Sequence, residues 1–522
     1  MKASIHPAIF MQIIWFRRDL RLTDNDIVAQ AAATDEEILP CFIIDPWFYQ
    51  QPDIGAMRVQ FLFESLARLE RSLRDLGSRL YLFEGNSVEV IQTLTGELLQ
   101  LGYHPRLLFN RDIQVDYGRK RDHQVIEFYQ RLGLDCYLGL NNFLQVDGEN
   151  RQQWMDEYYA DLRQHQHPKP TRLKTPEIPL SLTQLTFDEL QQKYNFNSQN
   201  SALFTGGEVE AQKTLNSWLK TRYNGYHWKL SRPQMATLGG TSHLSAHLAF
   251  GTISTRQVYQ QTKARANELK GNAKAQFALK SFRDRLRWRD SAIQRLYYFL
   301  ELAYQNCYPE FDQWYSDGEL NGEKLEYFQA WKQGKTGFPL VDASMRQLQS
   351  MGWMNFRMRA MCANFLTVIC GVSWHHGARH YMNYLVDGDI AINHWQWQAQ
   401  AGVTNPLSST FRIYNPTKNL TEKDPKLEFV RDWIPQLRDC TDEQILSGEM
   451  GELSGYPEPM LDWYRMRKIN GKVVSELRKQ VKQRLEKEQG IEYERAIGLS
   501  EAVGKYWSAQ EQRYQQYKQM AE

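Results

Sequence analysis

No C-x-x-C pair occurs in this chain; Cys41, Cys136, Cys307, Cys362, Cys370 and Cys440 are scattered. That spacing argues against a zinc ribbon or closely spaced iron–sulfur ligands. The G-x-G-x-x-G phosphate fingerprint is missing, so a nicotinamide cofactor is not expected. There is no G-x-S-x-G elbow for a nucleophilic serine. No apolar run is long enough to span a bilayer, and the opening MKASIHPAIF lacks the apolar core of a signal peptide. The chain therefore reads as cytoplasmic and reduced, with no membrane association, and Met11 is a candidate natural start. Charge of either sign is also not in excess, with 63 basic against 61 acidic residues. Any grip on nucleic acid would have to come from a local patch.

Two near-motifs fail. QGKTGFP (333–339) contains Gly-Lys-Thr, but a phosphate loop needs a further glycine where Gln329 stands. In WHHGARH, His376 and His380 have the i, i+4 spacing of metal ligands, but Gly377 occupies the place of a metalloprotease glutamate. No third ligand is evident, so these read as surface or capping histidines and no metal site is expected.

Aromatic residues, by contrast, are abundant: 15 Trp, 27 Tyr and 24 Phe among 522 residues. Most belong in a large helical core, and the surplus of indoles suits stacking or electron transfer. Apolar runs of strand length at 13–16, 38–44, 79–83 and 106–109 alternate with helical periodicity, as in Leu62, Leu66, Leu69, Leu73 and Leu76. Residues 1–140 are thus expected to form an α/β domain with a Rossmann-like parallel sheet, binding ligands at the carboxyl ends of its strands. Residues 141–205, with the proline-studded HQHPKPTRLKTPEIPLSLTQ, read as an interdomain connector. Residues 206–500 are helical in pattern, an all-α domain, and 501–522 form a polar tail.

The run LVDGDIAINHWQW (385–397) puts two carboxylates, an amide and two indoles within a few positions. TSHLS (241–245) offers hydroxyls and backbone amides at a helix start, which suits either a plain N-cap or a pyrophosphate cradle. Together with WFRRDLRLTDN (15–25), TSHLSAHLAFGTIS (241–254), LRWRD (286–290), GKTGFPLVDASMRQLQSMGWMNFRMRA (334–360), DGDIAIN (387–393) and FRIYNP (411–416), they occur in order over nearly the whole chain. In order and spacing these segments resemble the photolyase/cryptochrome superfamily of blue-light flavoproteins.

The resemblance implies an FAD site in the helical domain. Thr241, Ser242, His243, Leu244 and Ser245 would hold the phosphates, with Tyr226 as a further phosphate-side contact. His243 stands where the family usually has Arg, and implies a weaker, pH-sensitive contact. Phe282, Arg285, Phe356, Arg359, Asp387, Gly388 and Asp389 would line the flavin, Asp387 pairing with Arg359. Asn393 falls where the family places the residue facing flavin N5. Trp397 and Trp374 match two members of the family's electron-transfer chain. The third falls on Asn321, leaving Trp314, Tyr315, Tyr327 or another route, while Trp395 is core or part of a bypass.

Several positions depart from the pattern of the dimer photolyases. Their lesion-binding acid becomes Arg285, their amide Phe356, a stacking Trp becomes Ala399 and a contacting Met becomes Ala360; Trp288 remains. The paired histidines of the (6-4) photolyases would fall near Asn355 and Arg359. Arg285, Trp288, Arg289 and Arg357 form the implied DNA pocket for a flipped-out base. Arg283, Arg285, Arg287 and Arg289 fall as two i, i+4 pairs on different helix faces, one facing DNA and the other flavin or the core, or both simply solvated. Gln114 replaces the glutamate of folate-binding members, which favours a deazaflavin antenna over folate, or an empty antenna pocket. The expected function is a monomeric FAD photoreceptor of cryptochrome type, with an unidentified signalling partner, or a non-standard repair enzyme. The alternative is a DNA photolyase acting on UV-damaged single- or double-stranded DNA through an altered pocket; a dark flavoprotein or DNA-binding scaffold ranks third.

Overall fold

The computed structural model describes residues 9–113, 115–140, 151–194, 203–405, 408, 411–450 and 455–487. Gln114 and the polar tail lie outside these residues. Five strands, β1 (Ile9–Phe16), β2 (Glu37–Ile44), β3 (Tyr81–Glu84), β4 (Tyr103–Asn110) and β5 (Cys136–Gly139), form one sheet in the order β3-β2-β1-β4-β5, every pairing parallel. Helices α1 (Asp26–Ala32), α2 (Ala56–Arg74), α3 (Ser87–Gln100) and α4 (Asp116–Arg131) connect them. Both faces of the sheet are buried, with Ile14 and Phe16 in one core and Ile13 and Trp15 in the other, so its strands read as continuous apolar runs. β5, CYLG, is not among the expected strands: it is a short edge strand whose side chains are mostly only half-buried, so it lacks a continuous apolar run. β1 begins before Met11, which is buried and pairs with both Glu37 and Pro105.

The connector carries more structure than its composition suggests. Helix α5 (Arg151–Leu162) buries Trp154, Tyr158 and Leu162, an i, i+4 stripe, against the helical half of the molecule. Helix α6 (Phe187–Lys193) is closed by a capping box in which Thr186 and Glu189 exchange side-chain and backbone hydrogen bonds. Between them runs the proline-rich extended segment.

The helical half contains, among others, α7 (Ser245–Ala249), α8 (Thr255–Glu268), α9 (Ala273–Tyr298), α10 (Gly322–Gln333), α11 (Pro339–Met351), α12 (Phe356–Asn364), α13 (Trp374–Tyr384), α14 (Ile390–Gln400) and α15 (Trp463–Lys487). No helix among the described residues is long and apolar enough to cross a membrane. The architecture is the expected one, a parallel α/β domain beside a large all-α domain.

Two of the sequence segments meet where the halves join. Arg21, buried to 1% exposure, donates to the Gly251 carbonyl, and Arg18 Nε donates to the Ala249 carbonyl. Gly251 has φ +64°, and a Cβ there would overlap the backbone of Arg18. That position demands glycine for both conformation and space. Asp24, fully buried, takes Arg256 Nη1 at 2.7 Å, and Arg256 Nη2 reaches Asp161 of α5 at 2.8 Å.

Candidate functional site: a cradle, a buried carboxylate pair and a row of indoles

The stretch Thr241–Leu244 is a turn rather than a helix. His243 adopts a left-handed conformation, φ +57°, which brings the chain round before α7. No side chain caps the N-terminus of α7, so its first amides stay available to an anion, while the half-buried Thr241 hydroxyl donates to the Ala236 carbonyl and the Ser242 hydroxyl accepts from the Leu244 amide, each at 3.4 Å. His243 contributes differently from the expectation. Its Nε2 bonds the Ala236 carbonyl at 3.0 Å and its ring meets Trp353 edge-on at 5.4 Å. Burial lowers its pKa to about 4, so it is neutral at pH 7 and offers no charge to a phosphate. Trp353 thereby lies against the turn; the sequence signal for it was the Gly-Trp pair at 352–353.

Arg222, not expected from the sequence, staples the cradle. It donates to the carbonyls of Thr214, Gly239, Thr241 and Ser242 at 2.5–3.3 Å. Tyr226 is buried, edge-on to Trp218 at 5.1 Å and to Phe282 at 5.8 Å. Its phenol is hydrogen-bonded to Arg285 and is pushed up to about 12 by burial.

The DGDIAIN segment supplies the carboxylates. Arg359 Nη2 contacts both oxygens of Asp387, at 3.0 and 2.8 Å, and its Nε donates to the Met354 carbonyl. Asp389 caps α14, accepting from Ala391 N at 3.0 Å and Ile392 N at 3.4 Å, while Arg18 of the α/β half reaches its other oxygen at 3.3 Å. Gly388 between them is packed against Met382 and the Leu385 carbonyl, where a Cβ would be crowded. Asn393 donates its amide to the Ala378 carbonyl at 3.0 Å, which fixes its carbonyl oxygen as an acceptor.

The arginines of α9 divide by face as their spacing requires, and neither face is freely solvated. Arg287 reaches Met155 of α5, and Arg283 lies over the Tyr259 ring. On the other side, Arg285 sits 4.2 Å from the Trp288 ring and 5.0 Å from the Phe356 ring. Arg289 pairs with Asp290 at 2.5 Å and donates to the Leu248 carbonyl. Arg357 donates to the Tyr414 phenol at 3.0 Å and lies over both the Phe356 and Tyr414 rings. Trp288 and Phe356 are 52% and 43% exposed, so this cluster forms an aromatic and cationic rim at the surface.

Trp397 and Trp374 are both fully enclosed. Trp397 contacts Tyr381 at 4.8 Å and Trp331 at 5.9 Å between ring centroids. Trp374 stacks on His375 at 3.8 Å, meets His394 at 5.8 Å, and donates Nε1 to Asn306 at 2.8 Å. Trp314 and Tyr315 touch each other at 6.3 Å. Trp395 lies beneath Arg295 at 3.7 Å. Asn321 merely precedes α10 as its N-cap.

The rejected motifs have structural explanations. Asp342 accepts from the Thr336 amide and hydroxyl and from the Gly337 amide, so those amides are already engaged. His376 meets the Gly318 carbonyl, whereas His380 lies among Trp331, Phe328 and Tyr384. Among the described residues no cluster of three or more His, Cys, Asp or Glu is placed to hold a metal ion.

A separate cavity of about 460 Å³ opens at the carboxyl ends of β1 and β2. Trp15, Arg17 and Trp47 line its α/β side; His375, Arg379 and His394 line its helical side.

A family model described as the FAD binding domain of DNA photolyase matches residues 282–476, and one described as DNA photolyase matches residues 12–152. A deoxyribodipyrimidine photo-lyase of Synechococcus is 32% identical over 482 residues, covering 86% of this chain and 93% of that protein. A cryptochrome DASH of Gloeobacter violaceus is 28% identical over 496 residues, covering 88% and 94%. An archaeal photolyase from Sulfolobus tokodaii, solved with two FAD molecules and implicating a novel light-harvesting cofactor, superimposes with a TM-score of 0.74 at 27% identity, over 90% of this chain and 100% of that one. The chain belongs to the photolyase/cryptochrome family of FAD flavoproteins. The uncapped amides of the cradle, the oriented Asn393 acceptor and the Arg359–Asp387 pair fit the phosphate and ring ends of FAD.

Proposed function

We propose that this protein is a blue-light-driven flavin electron-transfer protein, working as a cryptochrome-like photoreceptor or in a repair reaction other than standard dimer reversal. Bound FAD would supply the absorption of blue light and a one-electron acceptor. Tyr226, Thr241, Ser242, Leu244 and Ser245 hold its phosphate side, His243 shaping the turn. Phe282, Arg285, Phe356, Arg359, Asp387, Gly388 and Asp389 bound its ring, and Asn393 presents a neutral acceptor. Trp397 donates the electron and Trp374 stands behind it.

The observation carrying the choice of output is Arg285. Its guanidinium is held against Trp288 and Phe356 at the rim. A permanent cation there cannot exchange a proton with a lesion carbonyl as a carboxyl does. The same rim favours a second reading, a photolyase with an altered pocket. Exposed indole and phenyl faces beside Arg285, Arg289 and Arg357 suit a splayed-out base and its phosphates.

One assay separates the two. Reduced protein is illuminated with dimer-containing single- and double-stranded DNA, and restored pyrimidines are counted. Efficient repair establishes the photolyase. No repair by the native protein but measurable repair by Arg285→Glu supports the photoreceptor reading and makes the missing acid the cause.

The cavity of about 460 Å³ at the strand ends is the place for an antenna, a deazaflavin in preference to folate. Its walls combine indoles for stacking with arginines for an anionic group. We expect a monomer in the reducing cytoplasm, where cysteine thiols stay reduced.

A further inference from the structure

Trp397 has two aromatic ring contacts among the described residues, Tyr381 and Trp331, and neither is Trp374. Trp331 stacks on Tyr381 at 5.8 Å with an interplanar angle of 15°, so the three rings form a closed triangle in the core. Electron tunnelling falls steeply with separation, so ring contact marks the fastest step away from Trp397.

The hydrogen bonds give the triangle a direction. The Trp397 Nε1–H is buried and has no partner among the described residues. Trp331 donates its Nε1–H to the Cys362 carbonyl at 3.1 Å. An indole that has lost an electron is a cation, and a hydrogen-bond acceptor at its N–H stabilises that cation. The positive hole is therefore better held on Trp331 than on Trp397.

Tyr381 is a poor resting place for it. A phenol that loses an electron must also lose its proton, and the Tyr381 hydroxyl faces the Arg359 carbonyl at 3.3 Å, the Met354 sulfur at 3.7 Å and the Cys362 thiol. None of the three takes a proton.

Beyond Trp331 the rings continue to the surface. His380 meets Trp331 at 5.4 Å and Tyr384 at 4.9 Å. Tyr384 is half-buried and lines an open cleft of about 610 Å³ with Phe328, Lys332, His376 and His380. Its hydroxyl can pass its proton to water there, as that of Tyr381 cannot.

We propose that a second electron route leaves Trp397 through Trp331, passes His380 as a bridge and ends at Tyr384 in this cleft, beside the route through Trp374. Once Trp397 has given up one electron, Trp331 refills it and Tyr384 refills Trp331, releasing its phenolic proton to cleft water. A small thiol entering the cleft returns a hydrogen atom to the Tyr384 radical and becomes a thiyl radical. The route also supplies an exit that the asparagine at position 321 does not. It rests on the flavin electron-transfer reading above.

The test uses FAD-loaded protein with Trp397→Phe, Trp331→Phe, Trp374→Phe and Tyr384→Phe variants. Flavin photoreduction is followed by absorbance with dithiothreitol as the thiol, and the protein radical is identified by electron paramagnetic resonance. Wild type and Trp374→Phe are expected to give a tyrosyl signal. Trp331→Phe and Tyr384→Phe are expected to lose it, and the Trp331→Phe, Trp374→Phe double variant to photoreduce at least tenfold more slowly than either single change. Unchanged tyrosyl signal in Tyr384→Phe, or wild-type photoreduction in the double variant, overturns the proposal. Wild-type photoreduction in Trp397→Phe instead overturns the underlying reading. Tyr384→Phe lies at the surface, so it decides the matter even if Trp331→Phe fails to fold.

Discussion

Gly377 on α13 shows how a single residue sets the position of the Trp397 indole. A Cβ there would overlap the six-membered ring of Trp397, with Leu366 closing the other side. Glycine is normally unfavourable in a helix, costing roughly 1 kcal/mol against alanine; here it opens the slot the indole fills. Gly377→Val is expected to tilt or displace Trp397, lower stability by about 1–3 kcal/mol through overpacking, and slow flavin photoreduction. Thermal unfolding and illuminated absorbance check the two effects, and a variant with the wild-type photoreduction rate would contradict the placement. At this scale the sequence was informative where functional groups are close along the chain. Asp387, Gly388, Asp389 and Asn393 lie within seven positions, so one short run displays most of the carboxylate end. Arg222 acts from a distance, and nothing in its own neighbourhood marks it.

Among the elements, the cradle is built by a helix that does not belong to it. The turn 241–244 has no side-chain cap of its own, and Arg222 holds its carbonyls from a separate π-helical turn, Trp218–Arg222. Hydrogen bonds from a charged donor are worth about 1.5–3 kcal/mol each. Arg222→Ala is thus predicted to weaken FAD binding by roughly ten- to a hundredfold while leaving the α/β domain folded. Flavin retention on gel filtration and fluorescence titration test this, and full retention would show that the turn stands without its staple. The element scale also explains why the helix inside the connector is hard to read from composition. The stripe Trp154, Tyr158 and Leu162 is helical in period, but it is followed at once by HQHPKP, and the proline-rich segment dominates composition over that window. Segment AFGTIS, part of the family resemblance, also serves as a joint. Ala249 and Gly251 receive arginines of the N-terminal segment, and the Ser254 hydroxyl bonds Asp24.

Across the whole molecule, acid response follows from histidines enclosed in and between the two halves. His247 is 2% exposed, bonded to Thr252 and edge-on to Phe61 of α2. Burial lowers its pKa from 6.5 to about 4. The unfolded chain therefore takes up a proton below about pH 6.5 that the folded chain refuses until about pH 4. Stability from this residue is full above pH 6.5 and falls across that window, by at most about 3 kcal/mol. His394, lowered by burial to about 4, acts in the same direction. Glu301, raised by burial to about 7, acts oppositely, since its folded form takes a proton first. Comparison with His247→Gln isolates the histidine. The variant is predicted to gain on the wild type as pH drops from 7 to 4.5, measured by urea unfolding. A constant difference between the two across that range would refute the assignment.

What the sequence determined by itself is what is encoded by neighbours and by period. Strand-length apolar runs dictated a sheet buried on both faces, helical spacing dictated the α domain, and ordered short segments identified the family and displayed the turn at 241–244 and the carboxylates at 387 and 389. Tertiary structure alone decided which arginine holds the cradle, that His243 is neutral and turned toward Ala236, and that Trp397 packs against Trp331 rather than Trp374. Those outcomes depend on contacts between residues far apart in the chain, on the burial that removes charge, and on which indole N–H finds a carbonyl. None of these is a property of a residue and its neighbours; each exists only once the helices are packed.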